Sequence, residues 1–223
     1  MTSAIAPDSG NVAIAIDGPA ASGKSTLARL LALRLGLIMV NSGAMYRAVT
    51  WKVLREGIDP RDNAAVVALL HRTALDCGDD GANSTIAVDG IDPGEALRSS
   101  EVNANVSAVS AVPEVRDALV ALQRDYLKRA SIVMEGRDIG SVVFPDTPFK
   151  IYVDADEQVR TARRRDAGEH DPVAKRDAAD SGRVHAPLMI PEGATVLDTS
   201  HHSIESGVVA AIEILKQQGL KLI

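Results

Sequence analysis

The chain has 223 residues, of which 46% are hydrophobic, and this size and composition indicate a soluble globular protein with one domain and one main core. Its formal net charge of -6 argues against a protein that coats nucleic acid, because binding a phosphate polymer requires a basic surface. The single cysteine, Cys77, excludes a disulfide framework. The N-terminus lacks the features of a signal peptide, and no apolar run reaches the ~18 residues that span a bilayer. We therefore expect a cytoplasmic protein without a membrane partner.

Five short segments are rich in apolar and β-branched residues. Because they are apolar on both faces, they are typical of the buried strands of a parallel sheet. Helical patterns lie between them, and Gly36 stands where a glycine ends the first helix. Further helices are predicted over 113–129 and 204–218. Alternating strands and helices indicate a three-layer α/β fold with a five-stranded parallel sheet. The predicted strands are 12–16, 37–40, 131–135, 149–154 and 194–198.

Two regions depart from this alternation. In 73–98, turn clusters flank the segment STIAV, in which Ile86 and Val88 alternate with small residues, so we expect a small antiparallel insertion in which Cys77 is structural. Residues 156–183 carry seven basic and seven acidic side chains, which is polar enough for a mobile segment.

A phosphate-binding motif follows the first predicted strand and opens the first predicted helix. Its sequence, GPAASGKS, places glycines where backbone N–H groups can converge on a phosphate, next to the positive end of a helix. Lys24 is expected to reach the β- and γ-phosphates of ATP, Ser25 to ligate Mg²⁺, and Thr26 to lie near the α-phosphate. The predicted ATP-binding residues are Gly18, Pro19, Ala20, Ala21, Ser22, Gly23, Lys24, Ser25 and Thr26.

This motif alone does not separate a kinase from a GTPase, a motor ATPase or a nucleotide sensor. A GTPase would carry the guanine-reading sequence N-K-x-D after a later strand, and the chain has none. A motor would need an acidic residue at a strand end, for which Asp154 and Asp198 are weak candidates. A glycine-rich turn without a ligand is the remaining alternative, which the strand–loop–helix order disfavours.

Four blocks, IDGPAASGKST, NSGAMYRA, EGRDIGSVVFPD and RDAADSGRVHAPL, occur in an order that resembles the bacterial cytidylate kinases, a branch of the nucleoside monophosphate kinases. The resemblance runs from residue 12 to the C-terminal helix and implies a monomeric P-loop kinase. It implies one kinase domain over 1–223, with a core (1–72 and 113–223), a monophosphate-binding insertion (about 73–112) and a short lid (about 160–185). The insertion resembles the three-stranded extension of that family.

The resemblance also implies an acceptor site. Ser42 would hydrogen-bond the acceptor nucleotide, Arg47 and Arg137 would hold its phosphate, and Asp138 would read the base. That last role fits independent chemistry, because a carboxylate accepts a hydrogen bond from the 4-amino group of cytosine and repels the carbonyl of uracil. Tyr46 is equally compatible with the core and with this site. The remaining implied contacts are Ser107 and Arg116 at the base, and Arg176, Asp180 and Arg183 at the ribose and phosphate when the lid closes.

Three local features qualify this picture. Asn41 stands where the family usually has Asp, and ten residues separate Arg165 from Arg176, which makes a short lid. Both features predict a weaker organisation of metal-bound water or less cover over the phosphates. One helix face is predicted to carry Arg160, Arg163 and Arg164, of which at least one would contact phosphate; the alternative is a solvated charge face with Asp156 and Glu157.

The implied reaction is transfer of the γ-phosphoryl group of ATP to CMP or dCMP, with Mg²⁺, giving ADP and CDP or dCDP. The accepting phosphate oxygen is already ionised, so no general base is required and catalysis depends on positioning and charge neutralisation. The predicted catalytic cations are Lys24, Arg137, Arg176 and Arg183. Two alternatives stay open from the residues: a related P-loop kinase with another small acceptor, and a nucleotide-binding module without turnover.

Overall fold

The predicted five-stranded parallel sheet forms the centre of the molecule. The computed structural model describes residues 10–166, 177–178, 182 and 187–222, and within these ranges no helix combines the length and the apolar character that a membrane crossing needs. The strand order is β2-β5-β1-β6-β7, so β1, β5 and β6 lie inside the sheet and are buried along nearly their whole length. The strands are β1 (Ala13–Asp17), β2 (Ile38–Asn41), β5 (Ile132–Gly136), β6 (Lys150–Asp154) and β7 (Thr195–Asp198).

Helices cover both faces of this sheet and complete the three layers. Successive residues of a strand point to opposite faces. In β1, Ile14 and Ile16 therefore pack against the first and last helices, whereas Ala13 and Ala15 pack against Tyr126 on the other face. The helices are α1 (Lys24–Leu35), α2 (Ser42–Arg55), α3 (Asn63–Leu70), α4 (Ser100–Val109), α5 (Pro113–Arg129), α6 (Glu157–Asp166) and α7 (Ile204–Gln217).

The local signals for helix ends are confirmed. α1 ends at Gly36, whose φ of 65° is left-handed and therefore suits glycine. α5 spans the predicted residues, and its first residue is Pro113, a position where the missing N–H costs no hydrogen bond. α7 ends one residue before the prediction. The boundaries predicted for core, insertion and lid stay predictions.

The insertion contains a two-stranded antiparallel sheet of β3 (Leu75–Asp79) and β4 (Ser84–Val88), which confirms the predicted antiparallel insertion but lacks the third strand of the extension that it resembles. The chain turns at Gly90 and pairs back only through the bridge between Val88 and Ile91. Pro93, which has no N–H for a strand ladder, then precedes a 3₁₀ turn, and the side chain of Ser99 caps α4. Helix formation therefore ends the strand pairing.

Hydrogen bonds fasten this hairpin to the edge of the main sheet. The N–H of Met39 in β2 donates to the carbonyl of Ala82 (2.8 Å), and the N–H of Asn41 donates to Ser84 Oγ (3.1 Å). Tyr126 of α5 donates its hydroxyl to the carbonyl of Gly78 (2.7 Å). A second hydrophobic cluster, built from the hairpin and α2 to α5, lies beside the sheet and includes Tyr46 of the predicted acceptor site.

Removal of the Tyr126 hydroxyl should weaken this attachment. Tyr126→Phe keeps the ring packing but leaves the Gly78 carbonyl without its donor, so we expect the free energy of unfolding to fall by about 1–2 kcal/mol. Urea denaturation followed by circular dichroism measures the change. Asp125→Ala, on the exposed side of the same helix, should change it by less than about 0.5 kcal/mol. Equal stability of the wild type and Tyr126→Phe would contradict the proposed anchor.

Candidate active site

The phosphate loop is a tight turn between β1 and α1. A Cβ at Gly18 would collide with the carbonyl oxygen of Val153 in β6, and its φ is 150°, so only glycine fits. Gly23 is left-handed (φ 90°) and Ala21 is too (φ 59°). Among the described residues, no side chain caps the N-terminus of α1. A helix N-terminus of this kind suits an anion, and the phosphate-binding role of the loop stays a prediction.

Two side chains at the start of α1 have contacts that fit their predicted roles. Lys24 is buried and donates from Nζ to the carbonyl of Pro19 (3.0 Å), which holds the ammonium group inside the curve of the loop. Ser25 donates from Oγ to Oε1 of Glu135 at the end of β5 (2.9 Å). A hydroxyl and a carboxylate in contact are hard oxygen donors of the kind that Mg²⁺ prefers.

Glu135 was missed by the sequence reasoning, which considered Asp154 and Asp198 as the acidic strand ends. Asp154 lies in β6, where its Oδ1 accepts from the N–H of Ala155 (2.8 Å), and Asp198 accepts from Ser200 on the exposed edge strand. The sequence alone could not decide which of the three carboxylates meets Ser25. In the sheet, β5 and β6 both flank β1, and it is Glu135 of β5 that contacts Ser25. The available signal was the position of Glu135 at the end of a predicted buried strand.

A cavity of about 430 Å³ opens beside the phosphate loop and extends to the N-terminus of α7. Arg163 donates to Oγ1 (3.1 Å) and to the carbonyl (2.9 Å) of Thr199, and Thr199 Oγ1 donates to the carbonyl of Ser22 (2.7 Å). Thr199, which the sequence reasoning did not single out, thereby ties α6 to the loop. The cavity lining includes Lys24, Ser25, Thr26, Arg163, Arg164, Thr199, His202 and Ile204.

The arginines of α6 do not form a solvated charge face. Arg160 and Arg164 are buried, which excludes that alternative for both. The Arg160 guanidinium donates to the carbonyls of Ala155 (2.9 Å) and Ala20 (3.3 Å) and pairs with Asp177. Arg160 therefore holds the backbone of the phosphate loop. The predicted lid residues Arg176, Asp180 and Arg183 lie outside the described residues.

A second cluster of functional side chains lies beyond the end of β5. Asp138 is buried and forms an ion pair with Arg116 of α5. Arg116 also donates to the carbonyl of Ser110 (3.2 Å), and its guanidinium lies 5.4 Å from the ring centroid of Tyr46. The carbonyl of Ser107 accepts from the Ser110 hydroxyl (3.2 Å), so Ser107 contacts the same residue as Arg116.

The start of α2 supplies the other predicted acceptor-binding residues. Ser42 donates from Oγ to the carbonyl of Glu135 (2.7 Å), and Arg47 contacts Gly43 and Asn103 through its guanidinium (3.4 and 3.3 Å). Asn41 caps the helix, because its Oδ1 accepts from the N–H of Ala44 (3.0 Å). An amide oxygen serves this purpose as a carboxylate oxygen would, so the departure from Asp keeps the cap.

Asp17, the last residue of β1, is a further buried acid that the sequence reasoning missed. Its Oδ1 accepts from the N–H of Ile139 and its Oδ2 from the N–H of Gly140, both at 2.7 Å. Burial raises the pKa of Asp17 to about 7, although these two hydrogen bonds oppose the rise. The nearby carboxylate of Asp138 adds to the rise, and Arg137 opposes it. Its position directly before the phosphate loop was the only signal in the sequence.

Comparison with known proteins decides the family. A model of the cytidylate kinase family matches residues 14–217. The chain belongs to the cytidylate kinase family. A curated cytidylate kinase from Corynebacterium efficiens is 43% identical over 220 residues, covering 93% of this chain and 95% of that protein. One from Streptomyces avermitilis is 39% identical over 218 residues, covering 93% and 94%.

Among solved structures, an unliganded sugar kinase from Janibacter sp. HTCC2649 is similar to this cytidylate kinase with a TM-score of 0.50 at 14% identity. The match covers 92% of this chain and 95% of the sugar kinase. This likeness concerns the α/β kinase fold alone, and the sequence relatives carry the assignment to the family.

The raised pKa of Asp17 predicts a pH-dependent stability. The folded-state value of about 7 exceeds the ordinary value of 3.8, so the folded protein binds the extra proton and loses stability as the pH rises towards 7. Relative to Asp17→Asn, the wild type should lose about 3 kcal/mol of unfolding free energy between pH 5 and pH 8. Urea denaturation of both proteins at the two pH values measures this. If the difference in unfolding free energy between the wild type and Asp17→Asn were the same at pH 5 and pH 8, the raised pKa of Asp17 would be contradicted.

Proposed function

We propose that this protein transfers the γ-phosphoryl group of ATP to CMP or dCMP, giving ADP and CDP or dCDP. One observation carries the proposal: β1 and β5 are neighbours in parallel register, with Asp17 opposite Gly136. The phosphate loop that follows β1 and the arginine–aspartate cluster that follows β5 therefore lie at the same edge of the sheet. Ligands of open α/β sheets bind at this edge, so two nucleotides can meet there.

The donor site is supported by the loop and its cavity. The loop amides and Lys24 would hold the polyphosphate, and the nucleoside would extend towards Thr199 and the start of α7. Ser25 and Glu135 would hold Mg²⁺, directly or through its waters. When bound, the ion would neutralise charge on the β- and γ-phosphate oxygens.

The acceptor site is supported by the buried pair of Arg116 and Asp138. A buried carboxylate requires a partner, and Arg116 supplies the compensating charge. The Asp138 carboxylate would accept a hydrogen bond from the cytosine amino group, and Ser107 would assist. Ser42, Arg47 and Arg137 would bind the acceptor phosphate, with Tyr46 packed beneath Arg116.

Catalysis in this arrangement would consist of alignment and charge neutralisation. The CMP phosphate oxygen is the nucleophile and is ionised, so no side chain has to remove a proton. Lys24 and Arg137, joined by Arg176 and Arg183 when the lid closes, would offset the charge of the two nucleotides. Exclusion of water by the lid would prevent hydrolysis of ATP.

A coupled ADP-release assay with CMP, dCMP, UMP and AMP tests the function. Turnover with the cytosine nucleotides well above the others supports the proposal. Turnover with a different acceptor would favour a related kinase on the same scaffold, and ATP binding without ADP release would favour a non-catalytic module. We further propose a cytoplasmic monomer that binds neither a nucleic acid polymer nor a membrane, which sedimentation and vesicle-binding measurements would test.

Substitution of Lys24 should abolish most turnover without unfolding the protein. In Lys24→Ala the phosphates lose the ammonium group that the loop encloses, so we expect kcat to fall at least about 100-fold, as for loss of a strong transition-state contact. Steady-state kinetics and a thermal melt separate activity from folding. Lys216→Ala, an exposed lysine paired with Glu213, is the control and should keep the wild-type rate. Near-normal turnover of Lys24→Ala would refute the assigned role.

Substitution of Asp138 should change the choice of base. Asp138→Asn preserves the size of the side chain, and its amide can donate to the uracil carbonyl that a carboxylate repels. We expect the ratio of kcat/KM for CMP to that for UMP to fall at least about tenfold, the discrimination that one good base contact provides. Asp146→Asn, on the exposed segment after the π-helical turn Ile139–Val143, is the control. An unmoved ratio would show that Asp138 does not read the base.

A further inference from the structure

Asp17 takes no part in the mechanism above, yet it is buried between the two nucleotide sites. We infer that Asp17 is a positioning residue that fixes the acceptor-reading segment, residues 137–138, against the phosphate loop and thereby sets the discrimination between cytosine and uracil acceptors. The inference rests on the proposed role of Asp138 as the base-reading group. It adds a residue that touches neither nucleotide and acts through the backbone.

The two hydrogen bonds of Asp17 determine where the chain goes after β5. Its carboxylate receives the N–H groups of two consecutive residues, Ile139 and Gly140, each at 2.7 Å. Two bonds to neighbouring amides fix the direction of the backbone as well as its position. Asp138 lies directly before them with φ −147° and ψ 23°, outside both strand and helix geometry. The direction of its side chain therefore depends on the turn that Asp17 holds.

The packing around this turn leaves little room for an alternative path. A Cβ on Gly140 would lie 3.2 Å from Asp17 Oδ2, Lys150 Cδ and Pro191 Cγ. Lys150 is itself held, because its Nζ donates to the carbonyls of Pro145 (2.6 Å) and Glu192 (3.0 Å). The turn is thus enclosed by Asp17 on one side and by β6 and the segment before β7 on the other.

The main chain connects Asp17 directly to the donor site. The next residue, Gly18, begins the phosphate loop and lies so close to the carbonyl of Val153 that a Cβ would collide with it. Asp17 thus reaches the donor loop through its backbone and the acceptor segment through its side chain. The charged and titratable groups that face it are Asp138 and Arg137 from the turn and Tyr152 from β6.

Stability alone does not explain a carboxylate at this position. Burial of a charge costs folding free energy, and two backbone hydrogen bonds offset only part of that cost. Asn would relieve the burial cost, but Oδ1 and Oδ2 of Asp17 each accept from one amide, so Asn would place its NH₂ group against one of the two N–H groups. The geometry of a double acceptor is therefore the property that Asp17 supplies and Asn lacks.

The test is Asp17→Asn, with kcat and KM measured for CMP, UMP and ATP. We expect the CMP-to-UMP ratio of kcat/KM to fall at least fivefold, and KM for CMP to rise more than KM for ATP. The matched control is Asp80→Asn. Asp80 also accepts two backbone N–H groups, from Ala82 (2.9 Å) and Asn83 (2.6 Å), but in the exposed turn between β3 and β4. Its substitution should leave the ratio and both KM values unchanged.

A purely structural role makes a different prediction. It would lower the melting temperature or the active fraction, and hence kcat, while KM and the base ratio stay at wild-type values; that result overturns the inference. If Asp17→Asn does not fold, Gly140→Ala perturbs the same contact from the opposite side. A folded Gly140→Ala protein with wild-type KM for CMP and a wild-type ratio would also overturn it.

Parallel measurement of Asp138→Asn separates this inference from the proposed function. A ratio that moves in Asp138→Asn and not in Asp17→Asn overturns the positioning role alone. A ratio unmoved in both variants overturns both. If Asp17 acts through Asp138, the double variant should show a ratio no lower than Asp138→Asn alone, because residues acting on one contact are not additive. Independent, multiplicative losses would overturn the inference.

Discussion

The parallel register of β5, β1 and β6 is the constraint on which the rest of the molecule depends. It sets Asp17 opposite Gly136 on one side and opposite Tyr152 on the other. The carbonyl of Val153 in β6 then meets Gly18 so closely that the phosphate loop must begin with glycine. The same register brings Glu135 to Ser25. A shift of one strand by a residue would separate these contacts and turn each side chain to the other face.

Backbone carbonyls contact several cationic side chains of the candidate site, in a chain whose net charge is -6. Lys24 contacts the carbonyl of Pro19, Arg47 that of Gly43, and Arg163 that of Thr199. These contacts help to fix the position of each cationic group. Arg116 pairs with Asp138, and its charge compensates the burial of that carboxylate.

Much of the fold could be predicted from local pattern. Segments apolar on both faces became the five strands within about one residue of their predicted bounds. Burial explains this composition for the inner strands, whereas β7 lies at the sheet edge and is mostly exposed. The insertion lacks the third strand that the resemblance suggested, because Pro93 and the cap at Ser99 favour helix at that place in the chain. The turn between β1 and α1 was also predicted, since a glycine-rich turn before a helix carries its signals in consecutive residues.

Sequence by itself determined the parts of this protein whose physics is local: the strands, the helix ends at Gly36 and Pro113, and the glycine-rich turn before α1. Tertiary structure alone decided which of several acids meets which partner. Asp17, Glu135 and Asp154 all lie near strand ends in the sequence. In the structure, Asp17 accepts from the N–H of Ile139, Glu135 accepts from Ser25, and Asp154 accepts from the N–H of the next residue, Ala155. The contacts of Asp17 and Glu135 join residues more than a hundred positions apart, so they follow from strand order and register, which no local pattern encodes.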